Sequence, residues 1–279
     1  MRTSILIFLS IILLSSCREK IDFDLNSSNT RIVIDGNITS EYKRHLVKIS
    51  KTSSYYDTEP GAKVTDAFVT ISDGTNTFIL SEEEPGMYYT DSLSGEVGKT
   101  YTLEVNYEGT TYSGQSTLLE VAPVNGIIVV QPFDTIPIIN EVDSDYVIAI
   151  SIDEPAGLGD YYLFKYFING TLESDTVLEY SFVDDTFIDG VTFDTLGINI
   201  TPVYYVDHKD LEVGDVVKLD VMSIDKSYND YLISVLIQSE FQGGLFSGPA
   251  ANVKGNLSNG ALGYFYASDV SSAETIVFQ

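Results

Sequence analysis

The chain has 279 residues and a formal net charge of −26, from 41 Asp and Glu against 15 Lys and Arg. Phosphate backbones need cationic neutralisation, so this balance argues against a nucleic-acid partner, and an anionic membrane face would repel the body of the protein. The single cysteine rules out an internal disulfide, and a chain of this length can bury one large core or two modest ones without such staples.

The N-terminus reads as a signal peptide over residues 1–16. Arg2 supplies the positive end, and Ile5 to Leu14 is an apolar run broken only by Ser10. Ten helical residues span about 15 Å, half of a hydrocarbon core of roughly 30 Å, so the run is too short for a membrane span. It ends in Leu14-Ser15-Ser16-Cys17, which resembles the bacterial lipoprotein box. That resemblance implies that the Cys17 thiol takes a diacylglyceryl group with palmitate-type chains, and that cleavage makes Cys17 the new N-terminus. Two acyl chains hold a protein on a membrane where one does so only marginally. Residues 17–30 are polar and aperiodic, as in a tether. Their acidic residues Glu19, Asp22 and Asp24 resemble the surface-export signal of Bacteroidetes-type lipoproteins.

From Arg31 the pattern is β. Ile32-Val33-Ile34 opens a strand that the turn-like Asp35-Gly36-Asn37 is expected to end. Strands follow over His45–Ser50, Ala67–Ile71, Thr77–Leu80, Gly86–Tyr89 and Tyr101–Tyr107, with turns at Asp73-Gly74 and Glu108-Gly109. Turns every dozen residues predict a sandwich of short antiparallel strands over residues 31–121. Gly61, Val64 to Val69, Gly86 to Tyr89 and Gly98 to Val105 resemble a carboxypeptidase-regulatory or transthyretin-like sandwich, which implies a fold and no activity.

Pro123 marks the boundary to a second β-rich unit, residues 122–279. Strands are expected at Ile127–Val130, Tyr146–Ile152, Val177–Val183, Asn199–Val206 and Val216–Ile224. The run Tyr161 to Phe167 is aromatic on both faces, so it is read as a central strand covered on both sides. Tyr228, Tyr231, Leu232, Val235 and Leu236 recur at helical spacing and predict a helix over 227–241. Ser227 and Asp230 form its expected capping box, Gly243-Gly244 its stop, and Leu232 and Leu236 its buried face against the second sheet. A glycine-rich tail, Asn252 to Phe265, closes the chain. The fold class is all-β: two β-sandwich domains, the second carrying one α-helix.

The lipobox, the first strand, the regulatory-like sandwich, the helix and the tail with Asn259-Gly260 and Leu262-Gly263-Tyr264-Phe265 together resemble a Bacteroidetes-type family of outer-membrane lipoproteins classed as a domain of unknown function. Genes of that family commonly lie beside TonB-dependent receptors, which implies such a receptor as partner. The family carries no established catalytic residue.

The residues themselves point to no chemistry. His45 and His208 are isolated and lack metal-ligand spacing, so both are read as surface residues. No serine sits in a nucleophile elbow. Asp143-Ser144-Asp145, and Asp184-Asp185 with Asp189, offer oxygens for calcium, but neither loop has EF-hand spacing. The expectation is therefore no enzyme, no catalytic residue, no metal and no cofactor, with Cys17 as the one assigned site. Nineteen tyrosines offer flat, hydrogen-bonding surfaces for glycans or peptides. The leading reading is a lipid-anchored outer-membrane accessory working with a TonB-dependent receptor in nutrient capture. The alternatives are a surface hydrolase using acidic residues and a structural or adhesive lipoprotein. Cys17→Ser removes the acylated thiol and should abolish membrane attachment or block processing; membrane fractionation recovering a mature, still attached variant would contradict the anchor.

Overall fold

A computed structural model describes residues 30–53, 61–130, 146–190, 201–206, 210–240 and 253–278. Cys17, the signal peptide and the tether lie outside these residues, as do His208, Asp143 to Asp145 and Gly243-Gly244. The described chain forms two β-sandwiches and one helix, as the alternating pattern predicts.

In the first sandwich, sheet A runs in the order β16 (Leu262–Ser268), β1 (Ile32–Thr39), β2 (Leu46–Lys51), β6 (Met87–Tyr89), β5 (Ser81–Glu84). Sheet B runs β4 (Thr77–Ile79), β3 (Phe68–Ser72), β7 (Thr100–Tyr107), β8 (Thr110–Thr117). Alternate residues of both sheets point inward, and Ile34, Ile49, Ile71, Leu103, Val105 and Phe265 meet in one buried core. The β7–β8 hairpin turns on Glu108 and Gly109, both at positive φ (48° and 78°), which suits a tight two-residue turn.

In the second sandwich, sheet C runs β14 (Thr201–Val206), β10 (Tyr146–Ile152), β9 (Val124–Val130). Sheet D runs β12 (Thr171–Leu172), β11 (Tyr161–Ile168), β15 (Val216–Ile224), β17 (Val270–Ile276), with β13 (Ser181–Asp184) also on β11. The doubly aromatic strand is central, as expected. Tyr162, Phe164 and Ile168 enter the core between the sheets, while Leu163 faces the other way, against the helix. That helix, α1 (Lys226–Glu240), covers the outer face of sheet D.

Several features differ from the sequence reading, among them the strand expected over Val177–Val183, which begins only at Ser181 because residues 177–179 form a turn. Asp35-Gly36-Asn37 does not turn: β1 continues to Thr39, because its backbone is paired on one side to β2 and on the other to β16. The tail, read with the second unit, sends β16 into the first sandwich as a parallel neighbour of β1. The helix is capped by Asp225 rather than Ser227: Asp225 Oδ1 accepts the Tyr228 amide at 2.8 Å, the N-cap to N3 bond, while the Ser227 hydroxyl meets Tyr264 Oη at 2.6 Å. Finally, His45 is not a surface residue. It is 1% exposed, with Nε2 donating to the Leu93 carbonyl at 3.0 Å and Nδ1 accepting the Thr39 amide at 3.4 Å. Burial pushes its pKa down, so a neutral ring satisfies two backbone groups.

The two sandwiches are tied together where the tail passes between them. Asp269 lies between β16, in one sandwich, and β17, in the other. Its Oδ2 accepts the Val121 amide at 3.1 Å, on the link between the sandwiches, and its own amide donates to Ser223 Oγ at 3.0 Å. Ser223 Oγ donates in turn to the Leu119 carbonyl at 2.5 Å. The Val270 amide reaches back to Ser40 Oγ at 3.0 Å.

Leu232 is 1% exposed in a cluster with Leu163, Met222, Ile224, Tyr264 and Tyr266. Leu236 is only half-buried, because that cluster engages Tyr228, Tyr231 and Leu232, the first turns of the helix. Leu232→Ala should cost about 2–5 kcal/mol and lower the melting temperature by roughly 5–15 °C. An unchanged thermal melt would show that this face is not core.

Candidate functional site

The outer faces of sheets A and D meet beside α1 and leave a crevice of about 250 Å³. Strand alternation decides what lines it. On β1, Ile34 and Ile38 point into the first core, so Asp35 and Asn37 point the other way, into the crevice. On β11, Leu163 and Lys165 share the face opposite the second core, and Lys165 reaches the crevice. On β16, Phe265 and Ala267 fill the first core, while Tyr264 and Tyr266 pack under the helix. Lys48 is the cross-strand partner of Asp35 in the β1–β2 register and also lines the space, with Asp175 and Tyr180.

The polar groups converge on Tyr266. Its hydroxyl accepts a hydrogen bond from Asn37 Nδ2 at 2.9 Å and lies 3.5 Å from Lys165 Nζ. A phenol has two lone pairs and one proton, so with both donors in place its remaining capacity is as a donor. The Tyr266 ring stacks on Tyr228 at 4.3 Å and 15°, which fixes the hydroxyl. Lys165 Nζ sits 5.1 Å above the Tyr180 ring, in range of a cation–π contact.

The electrostatics follow from crowding. Asp35 is solvent-exposed at the crevice, yet enough protein surrounds it that desolvation raises its pKa, against the pull of Lys48 and Lys165. Lys165 is held above the ordinary lysine range, first by Tyr266, then by Tyr180 and Asp35. Tyr228 is pushed well up by burial, and burial raises Tyr180 too. At neutral pH the crevice therefore presents a firm cation, a reluctant anion and several protonated phenols. It can hold a small polar group bearing both acidic and basic atoms.

A second cluster lies apart. One oxygen each of Glu154, Asp160 and Asp185 falls within 4.8 Å of the others. Of the acidic run singled out in the sequence, Asp185 is buried in this cluster. Asp184 is exposed and accepts the Thr186 amide at 3.2 Å, and Asp189 accepts the Gly157 amide at 2.5 Å. Glu154 and Asp160 were not anticipated, nor were Asp35, Asn37, Lys165 and Tyr266. Lys165 was the findable one: it is the single charge inside the aromatic run Tyr161–Phe167. Asp35 carried a signal that points elsewhere, since Asp-Gly-Asn reads as a turn.

Fold and site together define an all-β protein of two packed sandwiches with a polar crevice at their joint. The chain belongs to the family described as Domain of unknown function (DUF4249), whose model matches residues 18–274. No curated protein matches it. Among the described residues no helix is long and apolar enough to cross a membrane.

A raised carboxyl pKa in the folded state means that the folded protein holds its proton to higher pH than the unfolded chain does. Stability from Asp35 is thus fully present below the ordinary aspartate pKa of about 3.9 and is lost as pH rises through the higher folded pKa. Asp35→Asn should therefore raise the melting temperature at neutral pH, with the difference vanishing at acid pH. Melts across pH 3–8 check this, and a lower melt at neutral pH would mean that the lysines outweigh desolvation.

Proposed function

We propose that this protein is a lipid-anchored accessory of the outer membrane that works with a TonB-dependent receptor in capturing or taking up a nutrient, and that it binds rather than catalyses. The crevice is the observation that carries the binding reading. In a chain with net charge −26, it gathers Lys48 and Lys165 beside Asp35, Asp175 and hydrogen-bonding tyrosines. Small-ligand sites are concave, favour joints between domains and carry a few convergent polar groups, features that the crevice shares. A space of about 250 Å³ suits one polar residue or sugar unit of a larger cargo. The anchor rests on the Leu14-to-Cys17 box, and the receptor on the likeness to lipoproteins found beside such receptors.

The non-catalytic reading rests on the state of the groups that chemistry would need. His45 is fixed between two backbone partners. Lys165 is held charged by its neighbours, which makes it a poor nucleophile and a good anchor for an anion.

The test is purification of the anchored protein from its native membrane, with identification of what comes with it. A β-barrel receptor should co-purify in stoichiometric amount. Lys165→Ala should keep the protein folded and receptor-bound while reducing uptake of the cargo severalfold. Purification of the protein without any such receptor, across mild detergents, would overturn the proposal.

A further inference from the structure

The ends of three elements of the second sandwich bring carboxylates to one point. Glu154 follows β10, Asp160 immediately precedes β11, and Asp185 immediately follows β13. Their nearest oxygens all lie within 4.8 Å. Glu154 is 5% exposed and Asp185 2%. Asp185 is held in place through Oδ2, which accepts the amides of Gly159 at 2.8 Å and Asp160 at 3.1 Å. Glu154 Oε2 accepts the Tyr162 hydroxyl at 2.7 Å.

Glu154 Oε1 is the telling atom. It is buried and has no hydrogen-bond partner. Buried polar atoms are nearly always satisfied, and an exception in a native structure calls for a ligand or another explanation. Buried carboxylates are likewise paired or bound to a metal. The ion pairs of the described residues lie elsewhere, so no lysine or arginine among them answers these three.

We infer that Glu154, Asp160 and Asp185 form a binding site for a calcium ion, which ties the ends of β10, β11 and β13 together. All three donors are hard oxygens, and neither histidine nor cysteine is among them, which disfavours zinc and copper. Two oxygens on one calcium, at about 2.3–2.6 Å each, can stand up to roughly 5 Å apart. The three oxygens lie within 4.8 Å of one another, close enough to share one such ion after small side-chain adjustment. Magnesium dehydrates reluctantly and keeps several waters, so a site offering three protein carboxylates, two of them buried, suits it less. The competing occupant is a proton. Burial and like charge raise the pKa of Glu154, and of Asp160 beside Asp185, and carboxylates that crowd together hold a proton more tightly when no cation is bound.

The experiment is calcium chloride titrated into the whole chain after stripping with a chelator, followed by calorimetry and thermal melting, with magnesium chloride as a second arm. One site is expected, with a dissociation constant on the order of 10⁻⁴ M, as in extracellular modules, together with a raised melting temperature and weaker binding of magnesium. Glu154→Gln should weaken calcium at least tenfold, and Asp184→Asn, whose carboxylate lies outside the cluster, should bind as the parent does. Terbium as a calcium stand-in should give tyrosine-sensitised emission that falls in Tyr162→Phe. If Glu154→Gln fails to fold, Asp160→Asn is read in its place with the same expectation. Absence of heat and of any melt shift on adding calcium overturns the site, as does parental affinity in Glu154→Gln. A higher melting temperature of Glu154→Gln without metal, in a parent indifferent to calcium, assigns the cluster to a proton and also overturns it.

Discussion

The backbone contact between Gly263 and Ile34 is the constraint on which the rest of the structure depends. A Cβ at residue 263 would lie 2.0 Å from the Ile34 carbonyl oxygen, and the residue sits at φ 93°. Only glycine meets both conditions without strain. On the other side of the same strand, a Cβ at Gly255 would lie 1.7 Å from the Gly263 carbonyl. These two glycines let three backbone segments stack close enough for β16 to pair in parallel with β1 from Val33 to Thr39. A side chain at either position would push the tail off the first sheet.

Much follows from that pairing. β16 supplies Phe265 to the first core and Tyr264 and Tyr266 to the cluster under the helix, so one strand belongs to two packing layers. Residue 269 then hands the chain to β17 in the other sandwich. The Asp269, Ser223 and Ser40 hydrogen bonds fix the turn at the hand-over. The joint is built from partners far apart in sequence, such as Asn37 and Tyr266, which are 229 residues apart. Closing so long a loop costs entropy before the contact is gained, so folding of this topology is expected to be slow and completed late.

The crevice is a consequence of the joint rather than of any local motif. Asp35 and Asn37 come from β1, Lys48 from β2, Lys165 from β11, Tyr228 from α1 and Tyr266 from β16. None of these is near another in sequence except within β1. Rigid sheets hold most of them, and the stacked pair Tyr228 and Tyr266 closes one side. A site held by rigid elements keeps its polar atoms aimed and loses little entropy on binding. That suits a capture role better than one that needs a moving lid.

The sequence by itself determined the class of fold, most strand positions and the helix, because these depend on period, turn residues and composition within short windows. Val216–Ile224 and the helix register were legible for that reason, as was the burial of Leu232. The tertiary structure decided everything that depends on which strand lies beside which. Asp35-Gly36-Asn37 became the middle of a strand because two neighbours claim its hydrogen bonds, and local turn propensity lost to that pairing. His45 became buried because two backbone groups needed its ring. The tail joined the first sandwich because a parallel partner waited there, which no local pattern announces. The crevice and the Glu154–Asp160–Asp185 cluster were invisible for the same physical reason: a site is a meeting of side chains in space, and spacing along the chain does not encode it.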